Sequence, residues 1–289
     1  MNSKIELLIQ AVNDLKGNGS IAKDYIYPIV TPFLSAFIGV AAAKLTFRHQ
    51  EKIKAEVTKV NALNKLIIKM GEARSSLLGL KYNYDDLSET NFIKRALDIP
   101  PIIISDYKVE TNASELSFLV DDNPDYTAKE YDKTWINIPR VGMMISNYHQ
   151  VYSMLIKRNE LCLEVMNNIS SFKVKKGMLA GAPMSYDNIE EAVGADKLVA
   201  FCDLTQLFIS FLDDVLFEIN DFMFNFPEQA ERKIEKKLIK GYCTVLKYKT
   251  GGYEIKRTIE PDYQFIADFM GLTIDQAIKK YDFGYKRNT

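Results

Sequence analysis

The two histidines are the first residues to consider for metal binding or acid–base catalysis. His49 lies among basic residues after an apolar stretch, and His149 follows Tyr148 on a predicted helix. Neither has a Cys or a second His at the spacing that a zinc site requires. The separation of Arg140 and His149 also exceeds the short Arg-to-His spacing of helical nucleases. The sequence therefore predicts no metal, no cofactor and no catalytic set, and a surface or partly buried position for both histidines.

Four carboxylates recur along one predicted helix, Asp213, Asp214, Glu218 and Asp221. Carboxylates on one helix face could hold a divalent cation, as in helical di-metal proteins. No Glu-x-x-His accompanies them, and they alternate with a strongly apolar face, which is the pattern of an ordinary amphipathic helix. The sequence predicts that these acids lie on the solvated side of that helix.

The chain contains neither of the two common glycine-rich phosphate-binding motifs, GxxxxGK and GxGxxG. Gly251 and Gly252 follow Thr250 between two alternating segments, which is typical of a β-hairpin turn. A phosphate-cradling loop is therefore not expected at these glycines.

The C-terminal part carries basic residues that could bind an anionic partner. Ala267, Gly271 and Ala277 have the spacing of a helix-turn-helix, but no helix there is rich in Arg, Asn or Gln. Nucleic acid is therefore a partner that the pattern allows but does not favour. The expected partner of these basic residues is the acidic middle of this or another chain, a phosphate backbone or a lipid headgroup. The basic residues are Lys233, Lys236, Lys237, Lys240, Lys247, Lys249, Lys256 and Arg257.

Charge is segregated along the 289 residues although the net charge is only −1. Residues 1–83 carry +6, residues 84–227 carry −11 and residues 228–289 carry +4. This distribution indicates distinct charged surfaces rather than a uniformly mixed one. Three cysteines lie about forty residues apart with no CxxC pair, which indicates buried free thiols in a reducing compartment.

A nineteen-residue stretch from Tyr25 to Ala43 has no charged residue and is bounded by Asp24 and Lys44. As a helix it would extend roughly 28 Å, close to the thickness of the bilayer hydrocarbon. The sequence predicts a transmembrane helix over residues 25–47 with a kink at Pro32. Two alternatives remain open: a buried core helix, and a signal peptide cleaved at an AxA site formed by Ala41 and Ala43.

The flanks of this segment predict its orientation. The basic residues Lys44, Arg48, Lys52, Lys54 and Lys59 follow it, whereas the first 24 residues carry balanced charge. The positive-inside bias then predicts a single-pass protein of the cell inner membrane with a cytoplasmic C-terminal domain.

Small residues recur every four positions in the apolar segment. Such a stripe lets a second helix approach closely in lipid, so it predicts a homo-oligomer that assembles through this helix. The stripe consists of Thr31, Ser35, Gly39 and Ala43.

The rest of the chain predicts a mostly α-helical fold. Residues 1–24 form a short tail with an amphipathic helix, residues 48–227 a helical bundle, and residues 228–289 a basic appendage with a β-hairpin and helices. Long helices are expected over residues 46–80, 126–172 with an interruption at Pro139, and 189–226. Short helices are expected over residues 228–240, 262–270 and 274–281, the last with Thr273 and Gln276 as a capping box.

The segments SELSFLVDDNPDY, from Ser114, and IKRNEL, from Ile156, together with the predicted membrane helix, give the chain a loose resemblance to bacterial membrane-anchored helical proteins of unknown function. Some of those proteins are encoded in phage-defence loci. The resemblance covers residues 25–170 and carries over no functional residue. It implies a membrane-tethered effector or sensor rather than a metabolic enzyme. The leading hypothesis from the residues is a non-enzymatic module, anchored in membrane lipid, whose helical domain binds a partner protein or its own copies. The alternative is a membrane-tethered nucleic-acid binder or nuclease that uses the basic C-terminal part.

Overall fold

Polar side chains cap the N-termini of most of the α-helices in the part of the chain that the structure describes. The computed structural model describes residues 2–14, 27–103, 108–120, 127, 131–248 and 255–282. Within these ranges Asn91, Asn137, Ser185, Asp262 and Thr273 each accept a backbone N–H at a helix N-terminus. The helices are α1 (Asn2–Asp14), α2 (Tyr27–Lys81), α3 (Phe92–Asp98), α4 (Ile138–Lys175), α5 (Tyr186–Val193), α6 (Ala195–Glu231), α7 (Lys236–Ile239), α8 (Tyr263–Met270) and α9 (Ile274–Lys280). Two 3₁₀ helices span Tyr82–Tyr84 and Ala113–Leu119.

The chain divides into two units. The first unit comprises Met1–Thr58 and Lys236–Gly241, and the second comprises Lys59–Glu235 and Tyr242–Thr289. Helix α2 contributes residues 27–58 to the first unit and residues 59–81 to the second. The prediction that the helix of residues 46–80 continues from the apolar segment is therefore confirmed.

In the first unit, the apolar part of α2 is a helix that is long enough and apolar enough to cross a membrane. None of the most apolar eighteen-residue window is buried inside the molecule. Phe33 and Phe37 illustrate this, with 74% and 73% of their surface exposed. A core helix of this chain would have these side chains buried, so the core-helix alternative does not fit. Ala41 and Ala43 lie within α2.

In the second unit, α4 and α6 pack against each other over the largest helix–helix contact among the described residues. Apolar side chains from α2, α4 and α6 form the interior around this contact. They include Val60, Leu63, Met70, Leu77, Val151, Leu155, Phe208, Leu212 and Phe222. The mostly helical fold class is thus confirmed by the elements that build this core.

A second group of buried apolar residues joins α3, α5, α8 and α9 to the same two long helices. Phe92, Phe201 and Ile266 lie at its centre. Cys162 and Cys202 lie in this cluster as free buried thiols, as the sequence predicts, and Cys243 is half-buried. Burial raises the pKa of the Cys202 thiol to about 12, so this cysteine stays protonated and unreactive.

Two predicted helix boundaries are wrong for reasons of backbone conformation. The sequence predicts one continuous helix over residues 189–226, but Gly194 separates α5 from α6. Gly194 has a φ of +87°, which only glycine adopts readily. Pro139 lies in the first turn of α4 instead of interrupting a helix. A proline there loses no intrahelical hydrogen bond, so it starts the helix. The Thr273–Gln276 capping box of α9 is confirmed in full.

The predicted β-hairpin is not supported. Residues 243–248 and 255–260 contain no strand, and the predicted turn at residues 250–252 lies outside the described part of the chain. The backbone of each arm bonds to helix side chains instead of to the other arm. Asn64 donates from Nδ2 to the carbonyl of Thr244 and accepts the N–H of Leu246, while the N–H of Thr258 donates to Asp213.

Candidate functional site

The acidic residues of α6 are not a solvated face. Asp213 and Asp214 are buried, with 3% and 8% of their surface exposed. The prediction of a solvated stripe is wrong because the end of α2 and the segment before α8 cover this side of α6 and supply cations to it. A buried carboxylate is tolerated when it is paired and hydrogen-bonded, and both of these are.

Asp213 is the centre of a buried polar network. Its Oδ1 forms an ion pair with Nζ of Lys81, the last residue of α2. Its Oδ2 accepts the backbone N–H of Thr258 at 2.6 Å. Lys81 also donates to the Thr258 hydroxyl at 2.9 Å. The three residues thus tie α2, α6 and the segment before α8 together with charge-assisted hydrogen bonds, which are about twice as strong as neutral ones.

The other three acids of the stripe also have partners on neighbouring elements. Asp214 pairs with Arg257, Glu218 accepts from Nδ2 of Asn147 at 3.4 Å, and Asp221 accepts from the indole N–H of Trp135 at 2.9 Å. Burial raises the pKa of Glu218. All four carboxylates therefore take part in the packing of α6.

Arg158, on α4, has no exposed surface. Its guanidinium donates to the carbonyls of Ala96, Ile99 and Pro100, at and just beyond the end of α3. These are carbonyls that the end of a helix leaves without partners, so a buried cation satisfies them favourably. Burial lowers the pKa of Arg158.

Arg95, on α3, is also a buried arginine, and 1% of its surface is exposed. It donates to the carbonyls of Glu89 and Ile259 at 2.9 and 2.6 Å. Burial lowers its pKa, and the charge of Asp213 opposes that effect. Its Nε is buried without a hydrogen-bond partner.

A pocket of about 480 Å³ lies beside Asp213 and Asp214. Its wall includes Arg95 from α3, one face of α6 from Gln206 to Asp214, the segment from Arg257 to Tyr263, and Tyr281 at the end of α9. This volume falls within the usual range of small-molecule sites. The pocket joins charged, amide and aromatic side chains in one place.

No protein-family model, curated protein or solved structure matches this chain. Its function must therefore be inferred from its own residues.

The stripe predicted to mediate self-association lies in the first unit. Thr31, Ser35, Gly39 and Ala43 are all exposed in α2. A Cβ atom added at Gly39 would meet nothing within 4 Å. A second helix could therefore approach this stripe without displacing any residue that the structure describes.

The structure describes seven of the eight basic residues predicted to bind an anionic partner. Lys247 pairs with Glu231 at 3.0 Å, and Arg257 pairs with Asp214. Lys249 lies outside the described residues. Lys233 is half-buried, whereas Lys236, Lys237, Lys240 and Lys256 are exposed.

Both histidines lie in the part of the chain that the structure describes. His149 is exposed and accepts the backbone N–H of Val109 on its Nε2 at 3.3 Å, beside the ring of Tyr148. His49 is exposed on α2. These positions agree with the predicted surface or partly buried histidines.

Sequence reasoning missed Lys81, Arg95 and Gln206 as members of one site. One signal pointed to it: no Lys or Arg occurs between Lys197 and Arg232, although the acids recur throughout this stretch. A solvated helix face usually carries basic residues three or four positions from its acids. Their absence indicates that the counter-charges come from other elements.

Proposed function

We propose that this chain is a single-span membrane-anchored protein that self-associates and whose helical unit is a binding module. The observation that carries the proposal is the exposure of the apolar part of α2. Its most apolar eighteen-residue window has no buried share, and large side chains such as Phe33, Phe37 and Val40 project from it. Soluble monomers rarely expose continuous apolar surface of this extent.

The two parts of α2 differ in a way that supports the anchor. From Val60 to Leu77 the helix has a buried apolar side and an exposed polar side, so it packs into the helical unit. From Ile29 to Ala43 it carries no charged residue on any side and is exposed. A helix that is apolar all round requires an apolar environment, which a bilayer provides.

Membrane orientation is the next part of the proposal. The exposed basic residues Lys44, Arg48, Lys52 and Lys54 follow the apolar part of α2. Basic residues near a membrane helix favour the cytoplasmic side, which would place the second unit in the cytoplasm of a bacterial cell with α2 in the inner membrane. The free thiols of Cys162 and Cys202 suit a reducing compartment.

Self-association is proposed to occur through Thr31, Ser35, Gly39 and Ala43. In lipid, helices associate by close backbone packing, which small side chains permit. The resemblance to membrane-anchored helical proteins of unknown function, some of them encoded in phage-defence loci, suggests an effector whose assembly in the membrane changes cell survival after infection.

Binding is favoured over catalysis because the charged groups of the helical unit hold the fold. Lys81, Asp213 and Arg158 are each engaged by buried protein partners. Nucleic-acid binding is the weaker alternative, since Lys247 and Arg257 already pair with carboxylates of the chain.

Membrane extraction tests the anchor directly. The full chain should remain in the membrane fraction after alkaline and high-salt washing, and a reporter fused after Thr289 should be active only where cytoplasmic reporters are active. A shortened soluble periplasmic chain that begins at Lys44 would contradict the proposal and establish a cleaved signal peptide. Salt-sensitive binding of DNA or RNA by the full chain in nanodiscs would favour the alternative.

A further inference from the structure

The first unit brings together two basic segments that lie far apart in the chain. Its part of α2 continues past the apolar segment to Thr58, and the unit also contains Lys236–Gly241, which includes α7. Helix α7 is packed rather than free, since only 5% of Ile239 is exposed. The two segments together form the basic surface of the first unit. It consists of the exposed residues Lys44, Arg48, Lys52 and Lys54 on α2 and Lys236, Lys237 and Lys240 on α7 or next to it.

Few acidic residues balance this basic surface. After Ala43, the first unit contains seven basic residues and two acidic ones, Glu51 and Glu56. By contrast, Lys247 and Arg257, which pair with carboxylates of the chain, belong to the second unit. The first unit therefore presents an excess of positive charge next to its apolar segment. Six of its basic residues form no ion pair with any residue that the structure describes, namely Lys44, Arg48, Lys52, Lys54, Lys237 and Lys240.

The exposure of α2 shows where α7 lies along it. Every residue from Ile29 to Lys52 is exposed, and the first half-buried side chain after them is that of Ile53. A segment packed on the earlier turns would cover them. The contacts that place α7 in this unit therefore involve the turns of α2 that begin at Ile53. Lys44, Arg48 and Lys52 recur every four residues, so they follow one side of the helix up to these turns.

These turns lie within reach of a membrane surface. With the aromatic Phe47 at the headgroup boundary, Val57 lies ten residues further, about 15 Å along the helix axis. The headgroup layer adds roughly 5–7 Å to each side of the hydrocarbon. The attraction of an anionic leaflet for basic residues decays over a further Debye length of about 8 Å. The lysines of α7 are thus inside the layer in which they interact with lipid phosphates.

The anionic partner that fits this surface is the bilayer itself. Helix α2 holds the surface at the membrane, where lipid phosphates are present at high local concentration. The cytoplasmic leaflet contains anionic lipids, whose surface potential attracts basic residues next to a membrane helix. The same potential repels a nucleic acid, which would have to approach the leaflet against its own charge.

We propose that the basic surface of the first unit binds anionic phospholipid headgroups. Lys44, Arg48 and Lys52 contact phosphates around α2, and Lys237 and Lys240 add a second contact beside them. This inference rests on the proposed membrane anchor and names the lipid class that the anchored protein prefers. It assigns one function to basic residues from both ends of the chain.

Spin-label measurements on the full chain in phosphatidylcholine bilayers test the proposal. The probes are spin-labelled phosphatidylglycerol and spin-labelled phosphatidylcholine, and the measured quantity is the fraction of each probe that the protein immobilises. The phosphatidylglycerol probe should associate at least about threefold more strongly. This preference should largely vanish at about 1 M salt, where the Debye length falls to about 3 Å.

The same preparation separates this proposal from the membrane anchor. Equal association of the two probes with a chain that resists alkaline extraction would overturn the lipid preference and leave the anchor standing. A chain that alkaline washing removes from the bilayer would overturn both.

Two double variants locate the contact. Lys237→Gln with Lys240→Gln leaves the flanks of the apolar segment unchanged, so the chain should stay in the bilayer while its preference falls by about half. The matched control is Lys157→Gln with Lys175→Gln, which removes two exposed lysines of α4 in the second unit and should keep the preference of the parent. An unchanged preference in the first variant, or an equal loss in the control, would contradict the assignment. Binding of a DNA duplex that the first variant abolishes, without any preference for the phosphatidylglycerol probe, would assign the surface to nucleic acid instead.

Discussion

Lys81 and Asp213 form a buried ion pair between the last residue of α2 and the middle of α6. They are separated by 132 residues in the chain, and less than a tenth of either side chain is exposed. The pair thus connects the helix that carries the exposed apolar segment with the central helix of the second unit.

We expect the loss of one partner of this pair to be costly. Lys81→Met leaves Asp213 as a buried carboxylate without its cation, which should lower the free energy of unfolding by about 3–5 kcal/mol. The double variant Lys81→Met, Asp213→Asn should lose less than the sum of the two single variants, because no uncompensated charge remains. Chemical denaturation of the full chain in detergent measures these values.

The matched control is Glu72→Gln, which breaks the exposed pair with Lys69 and should cost at most about 1 kcal/mol. Equal effects in the buried and exposed pairs would show that the Lys81–Asp213 pair contributes nothing special to the fold.

The Asn159 side chain hydrogen-bonds both backbone groups of Ile102, as a neighbouring β-strand would. Replacing Asn159 by alanine should therefore destabilise the protein more than replacing Asn64 does. Its amide donates to the Ile102 carbonyl at 2.7 Å and accepts the Ile102 N–H at 3.1 Å. Because Ile102 is buried, Asn159→Ala should cost about 2–4 kcal/mol for two unpaired groups. Asn64→Ala should cost less, since Thr244 and Leu246 are exposed and water can replace the amide. Thermal melts should rank the two variants in this order, and the reverse order would show that burial does not set the cost.

Gly194 should not tolerate a side chain. Its φ of +87° and ψ of +139° strain any other residue, so Gly194→Ala should destabilise the protein by about 1–3 kcal/mol, although no atom blocks the Cβ. Gly142→Ala is the control, and it should have the opposite effect on stability. Gly142 is exposed within α4 with nothing within 4 Å of the added Cβ, so alanine should stabilise the helix by about 0.5–1 kcal/mol. A neutral Gly194→Ala in thermal melts would show that α5 and α6 can join differently.

Glu218 gives a pH-dependent prediction. Burial raises its pKa in the folded state, so folding favours the protonated form and the ionised form is destabilising. This penalty is absent below the pKa of the unfolded chain and develops as the pH rises through the folded-state pKa. Glu218→Gln should therefore raise the melting temperature at pH 7 and change it little near pH 4. A gain of equal size at both pH values would rule out ionisation as its cause.

Gly39 tests self-association. Gly39→Ile places a branched side chain in the centre of the small-residue stripe while the segment stays apolar enough to insert. It should lower the oligomer order in mild detergent and weaken any toxic or protective phenotype in cells. Phe37→Ile, off the stripe, should do neither. If both variants assemble like the parent, any oligomer is held by the soluble helices.

The sequence by itself determined the local elements of this protein. The uncharged run in α2, the Thr273–Gln276 capping box and the apolar periodicity of α6 depend on residues a few positions apart, so their patterns could be read directly. The burial of Cys162 and Cys202 as free thiols agrees with the prediction made from the spacing of the cysteines and the lack of a CxxC pair, whereas Cys243 is only half-buried.

Only the tertiary structure decided which faces of α6 are covered. The residue pattern of α6 alone predicts that Asp213 lies on a solvated face. Asp213 is instead buried, because Lys81 and Thr258, which are distant in sequence, lie against it. Segments expected to pair as a hairpin instead bond to Asn64 and Asp213, because those side chains satisfy the backbone groups of each arm. The pocket likewise requires Arg95, Gln206 and Tyr281 to meet from three helices, and no short-range pattern records such a meeting. The burial and the charge pairing of the α6 residues depend on partners that are distant in sequence. A sequence contains the identities of these partners but not their distances in the folded chain.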